Sequence, residues 1–338
     1  MRLISKLLCS SVLVCASLAA SANPYSSLVI FGDSLSDSGN NSIAISNAIG
    51  GPIPGQTISG NGYVPSLPYN VAPFGTYSNG PVWATQFADM LGLSALPSLI
   101  PGGTNFAFGG ATTSTGSPVP SLMTQTAMFL GGTGGVAPSD ALYVVAGGGN
   151  NIRATLTALA GVSDAGTFNS IVSAAALQYA TDIGNIVDNL QAAGAQDIIV
   201  WNAPNLGVAP AVTSIGFGAI GTIVSGSFNA ALAGRLASET GIKTFDLFGL
   251  AAQAAANGFT NTTDACGAPL NGGVCPNISQ ALFWDGIHPT TAAHHLIAER
   301  MLVTAVPEPE TWALMLMGLG FITYRARRRT VAPVLAAA

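Results

Sequence analysis

Residue types that cooperate in nucleophilic catalysis occur in two short runs of this chain. Phe31-Gly32-Asp33-Ser34-Leu35-Ser36-Asp37-Ser38-Gly39-Asn40 carries a serine just past the apolar run Leu28 to Phe31. Such a run reads as a buried strand, and the carboxyl end of a strand is where open α/β sheets bind ligands. Gly32 permits a tight turn there, and the helix that follows could aim its N-terminal amides at a developing anion. By itself the segment is equally a Ser/Asp-rich helix start, because serine is a good cap. Phe283-Trp284-Asp285-Gly286-Ile287-His288-Pro289-Thr290 shifts the balance. Asp285 precedes His288 by three residues, so one turn brings both side chains to one side. His288 would remove the Ser34 proton, while Asp285 fixes its tautomer and stabilises the imidazolium. His294 and His295 fall inside the helix begun by Pro289 and Thr290 and read as structural.

Positioning these groups requires strands that alternate with helices. After the run at Leu28 to Phe31, strands are expected at Asn105 to Phe108, Ala141 to Ala146, Ile198 to Trp201 and around Lys243 to Phe245. Helices are expected from Pro81, from Ile171 to Ala193 with Gly194 as the stop, from about Thr222 to Thr240, and from about Thr290 to Val303. Several strands are continuous apolar runs, which favours a parallel sheet covered on both faces. Residues 42–73 and 111–139 are rich in Gly, Pro, Ser and Thr and read as long loops near the site.

The chain ends read as addresses. Arg2 and Lys6, an apolar core from Leu7 to Leu18 and Ala20-Ser21-Ala22 make a secretory signal peptide over residues 1–22. At the other end a Pro-Glu-Pro stretch at 306–310 leads into an apolar segment at 312–324 and an arginine cluster at 325–329, with a tail at 330–338. The apolar segment is short for a membrane span, which takes about 20 residues. The arrangement at 306–329 resembles the PEP-CTERM sorting signal of Gram-negative bacteria. That resemblance implies export, a transient membrane contact and inner-membrane tether, an exosortase-type processing enzyme as partner, and a final place at the cell surface or outside it.

Between the addresses, residues 23–305 suit one large α/β domain. Four of the ten basic residues and thirteen of the fifteen acids lie in this span, so its formal charge is near −9. That argues against nucleic acid as a partner and against electrostatic docking on anionic lipid. In an exported protein Cys266 and Cys275 are close enough in sequence to read as a disulfide. No Cys-x-x-Cys pair suggests a metal. Gly216-Phe217-Gly218-Ala219-Ile220-Gly221 fits a dinucleotide fingerprint but lacks a preceding strand. No Gly-x-Ser-x-Gly elbow is present, which argues against the α/β-hydrolase fold.

Four ordered blocks resemble the GDSL, or SGNH, hydrolases. Gly32 to Asn40 is similar to the first block and Asn105-Phe106-Ala107-Phe108-Gly109-Gly110-Ala111 to the second. Gly148-Gly149-Asn150-Asn151 is similar to the third and Asp285 to Pro289 to the last. Tyr77 to Trp83, Trp201 to Leu206 and Asn257 to Cys266 look like the family's larger branch of plant-type and autotransporter-type esterases. The resemblance implies a three-layer α/β/α, flavodoxin-like fold with a parallel central sheet. It implies Ser34, Asp285 and His288 as catalytic residues. It also implies an oxyanion hole from the Ser34 amide, the Gly110 amide (with Gly109 close behind) and the Asn150 side chain. No cofactor or metal is called for. Asn151 stands where the family usually carries Asp, and the substitution Asn151→Asp is expected to be tolerated.

The function that follows is hydrolysis of carboxylic esters, of the esterase or lipase type, through an acyl-serine intermediate. The ester substrate could be a lipid, a short-chain acyl ester or an acetylated glycan. An O-deacetylase of extracellular polysaccharide is the rival within enzymes, and a catalytically silent surface or matrix protein on the same scaffold is the rival outside them.

Overall fold

The computed structural model describes residues 24–69, 74–116, 118–267, 275–306 and 317–325. The expected signal peptide, most of the Pro-Glu-Pro stretch, part of the apolar segment, most of the arginine cluster and the tail lie outside these residues. The strands are β1 (Leu28–Gly32), β2 (Leu142–Ala146), β3 (Asp197–Trp201), β4 (Ile242–Phe245), β5 (Asn261–Ala265) and β6 (Ala281–Phe283). The helices are α1 (Asn40–Ile49), α2 (Trp83–Leu91), α3 (Leu122–Gly132), α4 (Gly149–Ala158), α5 (Ala165–Ala192), α6 (Pro210–Thr213), α7 (Gly218–Leu236), α8 (Leu247–Ala252) and α9 (Thr291–Ala305).

β1, β2, β3 and β4 lie side by side in that order, all parallel. Successive side chains of a strand face opposite sides. Val29, Phe31, Tyr143, Val145, Ile198 and Val200 therefore share one face, packed against apolar residues of α3, α4, α5 and α7. Leu28, Ile30, Leu142, Val144, Ile199 and Trp201 share the other, packed against α2, α8 and α9. Two apolar layers of helix on one sheet make the three-layer α/β/α architecture.

The expected strand at Asn105 to Phe108 is not a strand. Its backbone does run alongside β1: Ile30 N donates to Thr104 O, Phe106 N to Ile30 O and Phe108 N to Gly32 O. Only the single bridge between Ile30 and Asn105 results. The ladder stops because Gly32 N, the next donor of β1, goes to Gln125 Oε1; the Asn105 and Ala107 carbonyls, on the side away from β1, accept from the Asn40 amide. Counting this segment, the spatial order of the chain is 2-1-3-4-5, the flavodoxin-like order, with its switch point between β1 and β2.

Other boundaries moved for local reasons. α1 and α3 occupy parts of the spans that read as loops. α3 has a weak apolar stripe, and its start is set by Ser121, whose Oγ accepts from Thr124 N. α5 begins earlier than its apolar periodicity suggests because Asp164 caps it, accepting from Thr167 N. α7 begins at Gly218 and ends at Leu236, four residues short of the expected stop.

Candidate active site

Gly32 closes β1 and admits no side chain. A Cβ there would stand 2.8 Å from both Ala146 O and Ser36 Cβ. Gln125 of α3 clamps the same residue, accepting from Gly32 N at 2.8 Å and donating to Gly32 O at 2.9 Å. Beyond it the chain turns at once: Ser36 N and Asp37 N both donate to Asp33 O, and Leu35 N donates to Asp33 Oδ1. Ser34 sits in this turn, at the switch point of the sheet. The helix amides expected to face an anion do not. Asp37 caps them, accepting from Gly39 N and Asn40 N through Oδ1 and from Asn41 N through Oδ2. Burial pushes both Asp33 and Asp37 up to about 6, against the opposing pull of these backbone donors.

The last block is held just as tightly. Thr290 caps α9 and donates through Oγ1 to Ala281 O, while Trp284 N donates to His288 O. Asp285 Oδ1 accepts from Ile287 N and His288 N, each at 2.8 Å. The one-turn geometry expected from the spacing follows: Asp285 Oδ2 lies 2.7 Å from His288 Nδ1, and His288 Nε2 lies 2.8 Å from Ser34 Oγ. All three side chains are buried. The ring of Tyr77 covers the imidazole at 5.3 Å between centroids.

The two glycines of the second block have different jobs. Gly109 N donates to Asp37 Oδ2, so that amide is occupied, and a Cβ on Gly109 would strike the Tyr77 ring. Gly110 adopts φ +85, and its amide has no partner among the described residues. The Ser34 amide is likewise free among them. Asn150 opens α4 immediately beyond β2, whose Ala146 pairs with Gly32, so strand pairing brings the third block beside the first. Asn150 Nδ2 donates one proton to Ala111 O at 2.9 Å, which orients the amide and leaves its second N–H unused. Ser34, Gly110 and Asn150 all border one cavity.

Asn151 is explained by its neighbours. Its Oδ1 accepts from Thr113 N, and its Nδ2 donates to Thr113 Oγ1 at 2.9 Å. Thr113 cannot supply its own proton there, because Oγ1 donates to Asp182 Oδ2 at 2.7 Å. Ser114 and Gln178 also donate to Asp182. The carboxylate of this network is thus at 182, and position 151 needs a donor.

Two cavities meet at Ser34, and Asn150, Arg153 and His288 border both. Arg153 donates to Asn150 Oδ1 at 3.4 Å, and burial lowers its guanidinium below the ordinary value. Of the other expected residues, Cys266 and Cys275 are bonded. His294 is buried in α9 with neither ring nitrogen partnered, and burial drives it down to about 3, so it stays neutral. His295 is at the surface beside Gln86 and Glu299. The stretch Gly216 to Gly221 follows α6, not a strand. Among the described residues no group of three His, Cys, Asp or Glu is placed to hold a metal. Sequence reasoning missed Gln125, Tyr69 and Asp37 as parts of this site. Gln125 is a lone amide in a helix and Tyr69 lies in a loop, and neither carries a pattern.

A family model described as GDSL-like Lipase/Acylhydrolase matches residues 28–301, and one described as PEP-CTERM protein-sorting motif matches residues 305–329. Esterase EstA of Pseudomonas aeruginosa is 30% identical over 330 residues, covering 83% of this chain and 47% of the relative. A GDSL esterase/lipase of Arabidopsis thaliana is 25% identical, covering 82% of this chain and 88% of the relative. The chain spans about half the length of the Pseudomonas relatives it matches. The crystal structure of LAE5, an alpha/beta hydrolase enzyme from a lake metagenome, aligns over 83% of this chain and 95% of its own. Its TM-score is 0.43 at 14% identity, and a likeness at that level carries no argument.

Proposed function

The chain belongs to the GDSL-like lipase/acylhydrolase family, and on that premise we propose that it hydrolyses carboxylic esters through an acyl-serine intermediate on Ser34. The observation that carries this reading is the unbroken relay of 2.7 Å and 2.8 Å from Asp285 through His288 to Ser34, beside two unpartnered amides. His288 Nε2 takes the Ser34 proton as Oγ attacks the carbonyl carbon. The oxygen gains negative charge, which the Ser34 amide, the Gly110 amide and Asn150 Nδ2 neutralise. The intermediate collapses when His288 returns the proton to the leaving alcohol. Water then attacks the acyl-serine with His288 again as base, releasing the acid and restoring Ser34. Asp285 stays ionised throughout and stabilises the imidazolium. No step needs a cofactor.

The C-terminal segment supports a second part of the proposal. Residues 317–325 are helical and exposed, and no helix among the described residues is long and apolar enough to cross a membrane. The sorting motif, its apolar segment and its arginines would tether the exported enzyme to the inner membrane until an exosortase-type enzyme cuts near residues 307–310. The enzyme would then reach the cell surface or the medium. Every proposed catalytic residue lies before this point, so removing residues 307–338 should move the enzyme without changing its turnover.

The test is turnover by pure, folded variants. Ser34→Ala and His288→Ala should each abolish ester hydrolysis, because nucleophile and base act as one unit. Wild-type turnover by Ser34→Ala protein would sink the mechanism. Absence of any turnover by wild-type protein would favour the silent-scaffold reading.

A further inference from the structure

Resting on this reading of Ser34, we infer that the acyl half of the substrate is a hydrocarbon chain of about six carbons or more, held in the cavity between the Pro204 to Ala209 turn, α8 and α9, with the alcohol on the opposite side of Ser34.

The two cavities that meet at Ser34 differ in chemistry. The first is a half-open cleft, and away from Ser34 its walls are mostly aliphatic, with Leu206, Val208, Leu250, Ala254, Leu282 and Ile287 among them. Its polar groups, Asp33, Asn150, Arg153 and His288, belong to the catalytic end. Asn205 also borders it, but its Oδ1 is taken by Gly207 N and Thr222 Oγ1. Away from Ser34 the side chains of the lining then offer a sugar hydroxyl little beyond the Asn205 Nδ2 donor. The second cavity is bordered by Ser66, Tyr77, Gly110 and Arg153 together with apolar side chains. It can hydrogen-bond an alcohol and release it.

An acetyl group would bury one methyl in the first cavity and leave water against the remaining aliphatic wall. A longer chain displaces that water, and each methylene it buries strengthens binding about fourfold. This gain persists in the transition state, because the chain stays in place while Ser34 is acylated. The same argument disfavours acetylated glycan, whose acyl group is too small to use the cavity.

The experiment compares p-nitrophenyl acetate, butyrate, hexanoate and octanoate with full-length protein, below the concentration at which the esters aggregate. kcat/KM should rise with length, and octanoate should exceed acetate by roughly 100-fold or more, since only part of the about fourfold gain per methylene need be realised. Ala251 of α8 borders the cavity and is only partly buried. Ala251→Phe should fill it and lower the ratio of octanoate to acetate by about tenfold. A flat profile, or one that peaks at acetate with Ser34-dependent turnover, overturns this inference and leaves the ester-hydrolase reading standing. A rising profile that Ala251→Phe does not touch puts the chain elsewhere and overturns the assigned cavity. No Ser34-dependent turnover of any ester would overturn the reading and the inference together.

Discussion

Tyr69 Oη donates to Asp285 Oδ2 at 3.1 Å, and that same oxygen receives His288 Nδ1 at 2.7 Å. The phenol comes from a loop that the sequence leaves without periodicity. The loop is strapped to the back of the Asp285 to His288 turn: Gly286 N donates to Tyr63 O, Ala265 N to Asn61 Oδ1, and Ile58, Tyr69 and Ala265 pack together. Tyr69 thus acts as a positioning residue on the acid of the relay. Tyr69→Phe should lower kcat by about tenfold with little change in KM, the loss of one hydrogen bond to a charged group. A loss of kcat matched by a raised KM and a lowered Tm would mean that Tyr69 only supports the loop.

Asn150 should matter for rate and not for affinity. Asn150→Ala removes a donor that is needed only when charge builds on the oxygen, so kcat should fall by about 10²–10³. A raised KM with kcat preserved would make Asn150 a ground-state contact.

Asn151→Asp should harm the protein, contrary to the expectation from family resemblance. A carboxylate at 151 cannot donate to Thr113 Oγ1, whose own proton is already given to Asp182. The lost bond and the second carboxylate around one threonine should cost about 1–3 kcal/mol. Thermal melts of the two proteins decide it, and an unchanged or higher Tm would show that the network does not select asparagine.

Asp33 gives stability an unusual pH dependence. Its carboxyl is raised from 3.8 to about 6 by burial, so between those values the folded state binds a proton that the unfolded chain does not. The stability it contributes is complete below about pH 4 and is lost as pH rises through about 6. Asp33→Asn keeps an acceptor for Leu35 N and cannot ionise. Urea titrations at pH 4 and pH 7 should show a difference smaller by up to about 3 kcal/mol in the variant. Identical pH slopes in both proteins would mean that Asp33 titrates normally.

The disulfide tethers the strand beside the relay. Cys266 N donates to Phe283 O, so the bonded pair sits against β6, which leads into Asp285. The bond closes a loop with a sequence separation of 9, for which chain entropy gives about 2–3 kcal/mol. Cys266→Ser with Cys275→Ser should destabilise by that amount. Two free thiols in denatured, unreduced exported protein would show that the bond does not form.

Local rules determined the parts of this protein whose causes are close in sequence. A buried apolar run makes β1 wherever it is placed, Gly32 turns the chain after it, and a three-residue spacing puts Asp285 against His288 on one turn. The four blocks also declared the family, because their residue types in that order have few other uses. Tertiary structure decided what depends on partners far along the chain. Asn105 to Phe108 has a strand's composition, yet Gln125 takes the Gly32 amide that would continue its pairing and leaves one bridge to β1. Gly109 and Gly110 are indistinguishable in sequence, and only the Asp37 carboxylate, which takes one amide and leaves the other, separates them. Asp182 makes sense of Asn151, and Tyr69 reaches Asp285 from a loop with no pattern at all. Hydrogen-bond donors and acceptors are counted in space. A sequence shows which groups exist, and packing alone determines which of them are already used.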